Sequence, residues 1–372
     1  MNGTVTESIV EGVVSRLTAR RLTHAASIRL MNRAIAIPTG GLATAPFATL
    51  TTPKGVPMPA ALSVLPTIPR KSMQIVEIDS ISKAYGDKVA VDKLSLNIAA
   101  GTMYGLLGPN GAGKTSSIRM MIGMTLPDSG SVKLFGKPFD RRALEQVGYL
   151  PEERGLYKKM NVLAQLVFFG QLHGLSASEA TRRAKAWSEK LQISEALPKK
   201  TDELSKGMQQ KIQFISTLLH EPDLIIMDEP FSGLDPVNAT LLEDTLLEQK
   251  KAGKAILFST HRMDQVEKMC DSICLINGGR AVLQGTMREV KQRYPRNRVS
   301  LKYEGTVDLE REPMVASVKD FSGSAEIELK AGADSQELLR SLMQKVKVNQ
   351  FEVVEPSLAE IFIQTVGGKS NE

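Results

Sequence analysis

At 372 residues the chain has room for two domains and a small third, at roughly 150 residues each. Its 42% hydrophobic and 24% charged residues exclude global disorder, and only two cysteines, Cys270 and Cys274, exclude a disulfide-built secreted scaffold. The net charge of +6 sits entirely in residues 1–72, where eight bases face two acids; from Met73 onward 39 bases meet 39 acids, so no basic footprint for nucleic acid is expected on the folded body.

The first 72 residues stand apart. Val5 to Ala34 has an amphipathic helical pattern, with Ile9, Val13 and Leu17 on one side and Arg16 and Arg20 on another. An Arg-rich, acid-poor composition matches an organelle transit peptide, and equally a disordered leader or an upstream, non-physiological start. The last two are preferred, because Met73 opens an ordinary alternating strand. No function is assigned here. The longest uncharged run, Ala34 to Pro53, holds Pro38, Gly40, Gly41, Pro46 and five threonines. That is poor material for a spanning helix of about 20 residues, so any membrane-spanning part belongs to another chain.

From Met73 to Asn297 the pattern is α/β. Apolar strand-like runs at Tyr104–Leu107, Leu224–Met227 and Ala255–Ser259 alternate with helical stretches, the sign of a parallel sheet wrapped by helices. A helical block at Asn161–Leu191 interrupts the alternation, with Ser176 and Glu179 spaced as a capping box. Residues 298–372 form a smaller α+β unit. Strands are expected at Arg298–Tyr303, Val315–Phe321, Ala325–Leu329 and Phe351–Val354, a helix at Ser335–Val346 capped by Asp334, and a last helix from the Ser357…Glu360 capping box.

Two motifs carry chemistry. Gly108-Pro109-Asn110-Gly111-Ala112-Gly113-Lys114-Thr115 fits the G-x-x-x-x-G-K-[ST] phosphate loop, directly after a strand and before a helix that continues with Ser116. Its glycines let backbone N–H groups curl around a β-phosphate, and the helix adds its positive N-terminal end. Lys114 would reach the β/γ-phosphates, and Thr115 would offer its hydroxyl to Mg²⁺. The second motif, Leu224–Glu229, is a buried strand ending in two carboxylates at the sheet edge where ligands of such folds lie. Asp228 suits a metal; Glu229 suits the acceptance of a proton from attacking water, worth about 10²–10⁴-fold in rate. Cys270 and Cys274 are spaced i, i+4 on a helix-like face, but no further ligand completes a zinc site, and they read as buried small hydrophobes. Met120, Met121 and Met124 read as helix-face packing.

Between those motifs lies Leu204-Ser205-Lys206-Gly207-Met208-Gln209-Gln210-Lys211, which resembles the signature sequence of ABC-type ATPases. Ser232-Gly233-Leu234-Asp235 is similar to that family's aspartate loop, and Ser259-Thr260-His261 to its histidine switch. Tyr85, 29 residues before Lys114, stands where the family places an adenine-stacking aromatic. More narrowly, Gly148–Tyr157 and Glu355–Phe362 resemble bacterial exporter ATPases of the sodium-extrusion and drug-export type, which also carry a small C-terminal α/β module.

The resemblance implies two copies closing head to tail, as a homodimer or pseudo-dimer, on ATP and Mg²⁺. Ser205 and Gly207 of one copy would meet the γ-phosphate held by the other, Asp235 would bridge the sites, and His261 would orient the γ-phosphate and the water. Glu152 stands where the family has a glutamine touching Mg²⁺ and the membrane partner. Lys206 and Met208 depart from the usual glycine and glutamine; Lys206 is expected to face solvent. The implied function is the ATP-hydrolysing subunit of a membrane exporter, bound peripherally at the cytoplasmic face of the cell membrane to a separate polytopic subunit. Leu156, Tyr157, Met160, Phe168 and Phe169 are either its contact or internal packing. The alternative is a soluble ABC-type ATPase in translation or DNA maintenance. The single phosphate loop, the 91 residues from Lys114 to Ser205 without sustained heptads and the neutral body disfavour it.

Overall fold

The computed structural model describes residues 73–153, 155–294 and 297–367. The leader and its expected helix at Val5–Ala34 lie outside them. The described chain opens with a long hairpin, β1 (Gln74–Tyr85) and β2 (Lys88–Ala99), turning at Gly86. β3 (Met103–Leu107) then runs into the phosphate loop and α1 (Lys114–Met121). β4 (Ser129–Leu134) and β5 (Lys137–Pro138) return to the hairpin and complete an antiparallel sheet of order β2-β1-β4-β5.

β6 (Val147–Leu150) leads into the helical block. It is two helices, α2 (Val162–Leu172) and α3 (Ala177–Lys190), divided at Gly174, whose φ is +84°. Asn161 caps the first through the Ala164 N–H. Ser176 caps the second through the Glu179 N–H, but the expected reciprocal bond of a capping box is not the one formed: the Glu179 carboxylate turns to Arg182 and Arg183 along the helix.

α4 (Lys206–Leu218) carries the chain back to β7 (Leu224–Asp228). α5 (Pro236–Lys251), β8 (Ala255–Thr260), α6 (Met263–Met269), β9 (Ser272–Asn277), β10 (Arg280–Thr286) and α7 (Met287–Gln292) follow. Six of these strands form one sheet of order β10-β9-β3-β8-β7-β6, parallel except at β10.

Period-two alternation explains the unbroken apolar runs. In β7, Leu224 and Ile226 join a core shared with the antiparallel sheet, while Ile225 and Met227 join the core under the helices. β8 divides in the same way, with Ala255 and Leu257 on one face and Ile256 and Phe258 on the other. Gly105 of β3 lets α6 close on the sheet: an added Cβ would stand 2.8 Å from Val266 Cγ1. Cys270 ends α6 and Cys274 lies within β9, so the two do not share a helix face; both are buried. The i, i+4 spacing straddles a helix end, which spacing alone does not mark. Met120 and Met121 are in the core, whereas Met124 is 40% exposed.

The last segment forms an antiparallel sheet of order β12-β13-β11-β14 from β11 (Arg298–Glu304), β12 (Val315–Asp320), β13 (Ser324–Leu329) and β14 (Lys347–Val354). α8 (Ser335–Met343), capped by Asp334, covers one face through Leu338 and Leu342. β14 begins at Lys347, four residues before the expected strand. α9 (Leu358–Gly367) starts with both bonds of the Ser357/Glu360 box, and its Leu358 and Ile361 pack into the main helical core.

Candidate nucleotide-hydrolysis site

The phosphate loop crosses from the carboxyl end of β3 to α1 in a path that only glycine permits at its two ends. Gly108 has φ +149°, and an added Cβ would lie 2.2 Å from the Ile276 carbonyl oxygen. Gly113 has φ +112°, with the Ala90 carbonyl oxygen 2.3 Å from such a Cβ. Pro109, Asn110 and Gly111 form the exposed crest, while Ala112 is buried and accepts from the Gly279 N–H at 2.9 Å. Lys114 is buried, and its Nζ donates to the carbonyls of Gly108 (2.8 Å) and Pro109 (3.2 Å). An ammonium has three protons, so one is left for a phosphate in the loop. Ser116 follows half-buried in the first turn of α1.

Asp228 ends β7 at 1% exposure. Thr115 Oγ1 donates to its Oδ2 at 2.7 Å, and the Ser259 hydroxyl donates to its Oδ1. Thr115 and Asp228 therefore offer adjacent oxygens, the donor set of a hard divalent cation; among the described residues no separate cluster of three or more metal-ligating side chains exists.

Glu229 takes a left-handed backbone, φ +50°, with its N–H on the Ser259 carbonyl at 3.1 Å. That turn aims its carboxylate at the end of β8. Oε1 accepts from the His261 backbone N–H (3.1 Å) and lies 2.9 Å from His261 Nδ1; Oε2 accepts from Thr260 Oγ1 at 3.2 Å. An ionised carboxylate only accepts, so the His261 tautomer in this contact carries its proton on Nδ1.

Lys114, Thr115, Asp228, Glu229 and His261 are thus gathered at one sheet edge. Tyr85, Glu152, Ser205 and Asp235 are exposed, and none of their side chains hydrogen-bonds to that cluster. Ser205 caps α4 through the Met208 N–H at 3.2 Å, leaving its hydroxyl proton free to donate. Gly207 abuts the aspartate loop, where an added Cβ would stand 3.6 Å from Leu234 Cδ2. Asp235 caps α5, and its bonds from the Asn238 backbone and side chain hold its carboxyl below the usual carboxylate range. Lys206 faces solvent.

Sequence reasoning passed over the polar side of α4. Gln210 Nε2 donates to the Pro230 carbonyl (2.8 Å), one residue beyond Glu229. Gln213 Nε2 donates to the carbonyls of Pro151 (3.1 Å) and Glu153 (3.4 Å), bracketing Glu152, and buried Lys211 Nζ donates to the Leu191 carbonyl at 2.9 Å. The available signal was three amide or ammonium side chains within four positions of a helix otherwise facing the core. Nearby, Tyr157, Phe168 and Phe169 cluster with centroids 5.9–6.2 Å apart, Tyr157 stacked on Phe169 and edge-on to Phe168, while Tyr157 stays 39% exposed.

Residues 91–232 match the family model described as ABC transporter, and residues 285–366 match that of the ATP-binding protein DrrA1-3-like C-terminal domain. The chain is 42% identical to the ABC transporter ATP-binding protein YhaQ of Bacillus subtilis (strain 168), over 79% of this chain and 99% of that one. It is 37% identical to the Nod factor export ATP-binding protein I of Cupriavidus metallidurans, over 58% and 72% of the two chains. Among solved structures, an ATP binding subunit of an ABC transporter matches at TM-score 0.56 and 32% identity, covering 59% of this chain and 92% of that one. CbiO1 of Clostridium perfringens, part of the ABC transporter complex cbiONQ, matches at TM-score 0.53 and 28% identity, over 59% and 90%. The chain belongs to the ABC transporter ATP-binding proteins, the ATP-hydrolysing subunits of such transporters.

Proposed function

We propose that this chain drives an exporter, as the ATPase that a separate polytopic membrane subunit recruits to the cytoplasmic face of the cell membrane. The observation that carries the hydrolytic part is the continuous hydrogen-bonded edge from Thr115 through Asp228 to Ser259, with Glu229, Thr260 and His261 beside it. Its export direction is supported by relatives such as the Nod factor export ATP-binding protein I. No helix among the described residues is long and apolar enough to cross a membrane, which is consistent with a spanning partner.

In this reading the loop amides of residues 110–113 and Lys114 Nζ bind the β- and γ-phosphates of ATP. Thr115, Asp228 and Glu152 would hold Mg²⁺, which would neutralise charge on the phosphates. Tyr85 stacks on adenine, and its 48% exposure leaves the ring available. Glu229 takes the proton of the attacking water, and His261 orients that water and the γ-phosphate. A second copy supplies Ser205 and Gly207, with the positive end of α4 behind them, and Asp235 joins the two sites. The half-exposed aromatic group at Tyr157, Phe168 and Phe169 receives a cytoplasmic helix of the membrane subunit.

Affinity capture of the Glu229→Gln variant from detergent-solubilised native membranes, with Mg·ATP present, tests this. A polytopic membrane protein in near-equal amount is the expected result. Ribosomal or chromosomal partners without a membrane protein would instead establish the soluble alternative.

A further inference from the structure

Thr260 is the last residue of β8 and is 1% exposed. Its hydroxyl oxygen accepts from the Arg262 N–H at 3.1 Å and lies 3.2 Å from Glu229 Oε2. A hydroxyl has one proton; the amide can only donate to it, so that proton is committed to Oε2. The other carboxylate oxygen, Oε1, is met by both the backbone N–H and the ring Nδ1 of His261. Each carboxylate oxygen has two lone-pair sites. Oε1 therefore has both occupied, while Oε2 has one occupied by Thr260 and one open.

We propose that Thr260 is a positioning residue for ATP hydrolysis, aiming the open lone pair of Glu229 Oε2 at the attacking water; this rests on the assignment of Glu229 as the base. In the step, the water O–H breaks and its proton goes to Oε2 as the water oxygen bonds to the γ-phosphorus. The bond from phosphorus to the β–γ bridging oxygen breaks, and its electron pair leaves on ADP. Thr260 acts through its bond to Glu229. It acts because a rotation of the Glu229 carboxyl would turn an occupied lone pair, or none, toward the water.

Steady-state Mg·ATP hydrolysis by the full chain tests this, with Thr260→Val, Thr260→Ser and Glu229→Gln side by side and a thermal melt of each. Valine keeps the shape of threonine and removes the hydroxyl. The expected result is a fall in kcat of roughly 10- to 100-fold for Thr260→Val, with KM for ATP changed less than about twofold, since misaligning a reacting group costs rate rather than binding. Thr260→Ser, which restores the hydroxyl, is expected within about threefold of wild type. Should Thr260→Val not fold, Thr260→Cys, whose thiol is a weak donor, carries the same kcat expectation. A wild-type kcat in the hydroxyl-free variant while Glu229→Gln is inactive would overturn the role of Thr260 alone. A loss that serine fails to rescue and that comes with a lowered melting temperature would also overturn it, in favour of packing. Wild-type turnover by Glu229→Gln would instead overturn the base assignment.

Discussion

Gly113 shows how tightly single residues constrain this site. Its φ of +112° and the Ala90 carbonyl 2.3 Å from an added Cβ leave no room for a methyl group, because the obstructing atom is backbone of β2. Gly113→Ala is expected to cost about 1–3 kcal/mol and to abolish nucleotide binding, measurable by a thermal melt and a fluorescent ATP analogue. Gly111, with φ +79° and no atom within 4 Å, should tolerate alanine with a cost of only about 1–2 kcal/mol. His220 gives a pH expectation. Its ring stacks on His173 with centroids 3.7 Å apart, and burial first, then the His173 ring, push its pKa from 6.5 down to about 3 despite the Val147 carbonyl. The folded state then binds fewer protons than the unfolded state, so this contribution is complete above pH 6.5 and is lost as pH falls toward 3. Below the ordinary value the loss approaches about 1.4 kcal/mol per pH unit. His220→Gln should flatten the acid side of the stability curve in urea titrations; an unchanged slope would contradict it. At this scale the phosphate loop, Asp228 and Glu229 were legible, because their chemistry is written in consecutive residues. Thr260 was visible only as part of a motif, since its partner Glu229 lies 31 residues away and its orientation depends on a backbone amide.

Among the elements, α4 does more than present Ser205. Its side chains reach the segment after Glu229 through Gln210 and the segment around Glu152 through Gln213. The helix therefore ties the hydrolytic edge to the proposed partner-facing segment. Gln213→Leu keeps volume but removes the amide that holds the Pro151 and Glu153 carbonyls, and is expected to destabilise by about 1–2 kcal/mol. Hydrogen exchange at residues 150–157 should rise while β7 and β8 stay protected; unchanged exchange there would deny the brace. The sequence marked this helix by its resemblance to the signature, but not these bonds, because their acceptors are main-chain carbonyls that any residue supplies. The start of α3 within 161–191 was legible at Ser176, whose capping-box spacing opens a second helix, and the positive φ of Gly174 lies just before that cap.

Across the whole molecule, two levels of organisation were unequally legible. Alternating strand and helix signals specified the parallel sheet, and the C-terminal strands followed from period-two patterning. The return of α9 to the main core was not visible, because Leu358 and Ile361 carry no mark of the core they join. It docks on α6, where Glu267 accepts from the Leu358 N–H at 3.1 Å and from Lys291 at 2.5 Å. α6 starts two residues after His261, so the C-terminal segment packs on the helix that follows that residue. Each chain presents the phosphate loop and Glu229 together, while Ser205 and Asp235 remain exposed with no hydrogen bond to them. In the proposed dimer, Ser205 and Asp235 of a second copy would complete the site. The most direct measurement is the mass of Glu229→Gln in solution with and without ATP, by size-exclusion chromatography with light scattering, beside its rate of hydrolysis. The expected result is a monomer that becomes a stable dimer with ATP, keeps the nucleotide intact and shows no turnover. A variant that stays monomeric at saturating ATP, or that hydrolyses it at the wild-type rate, would contradict the shared site.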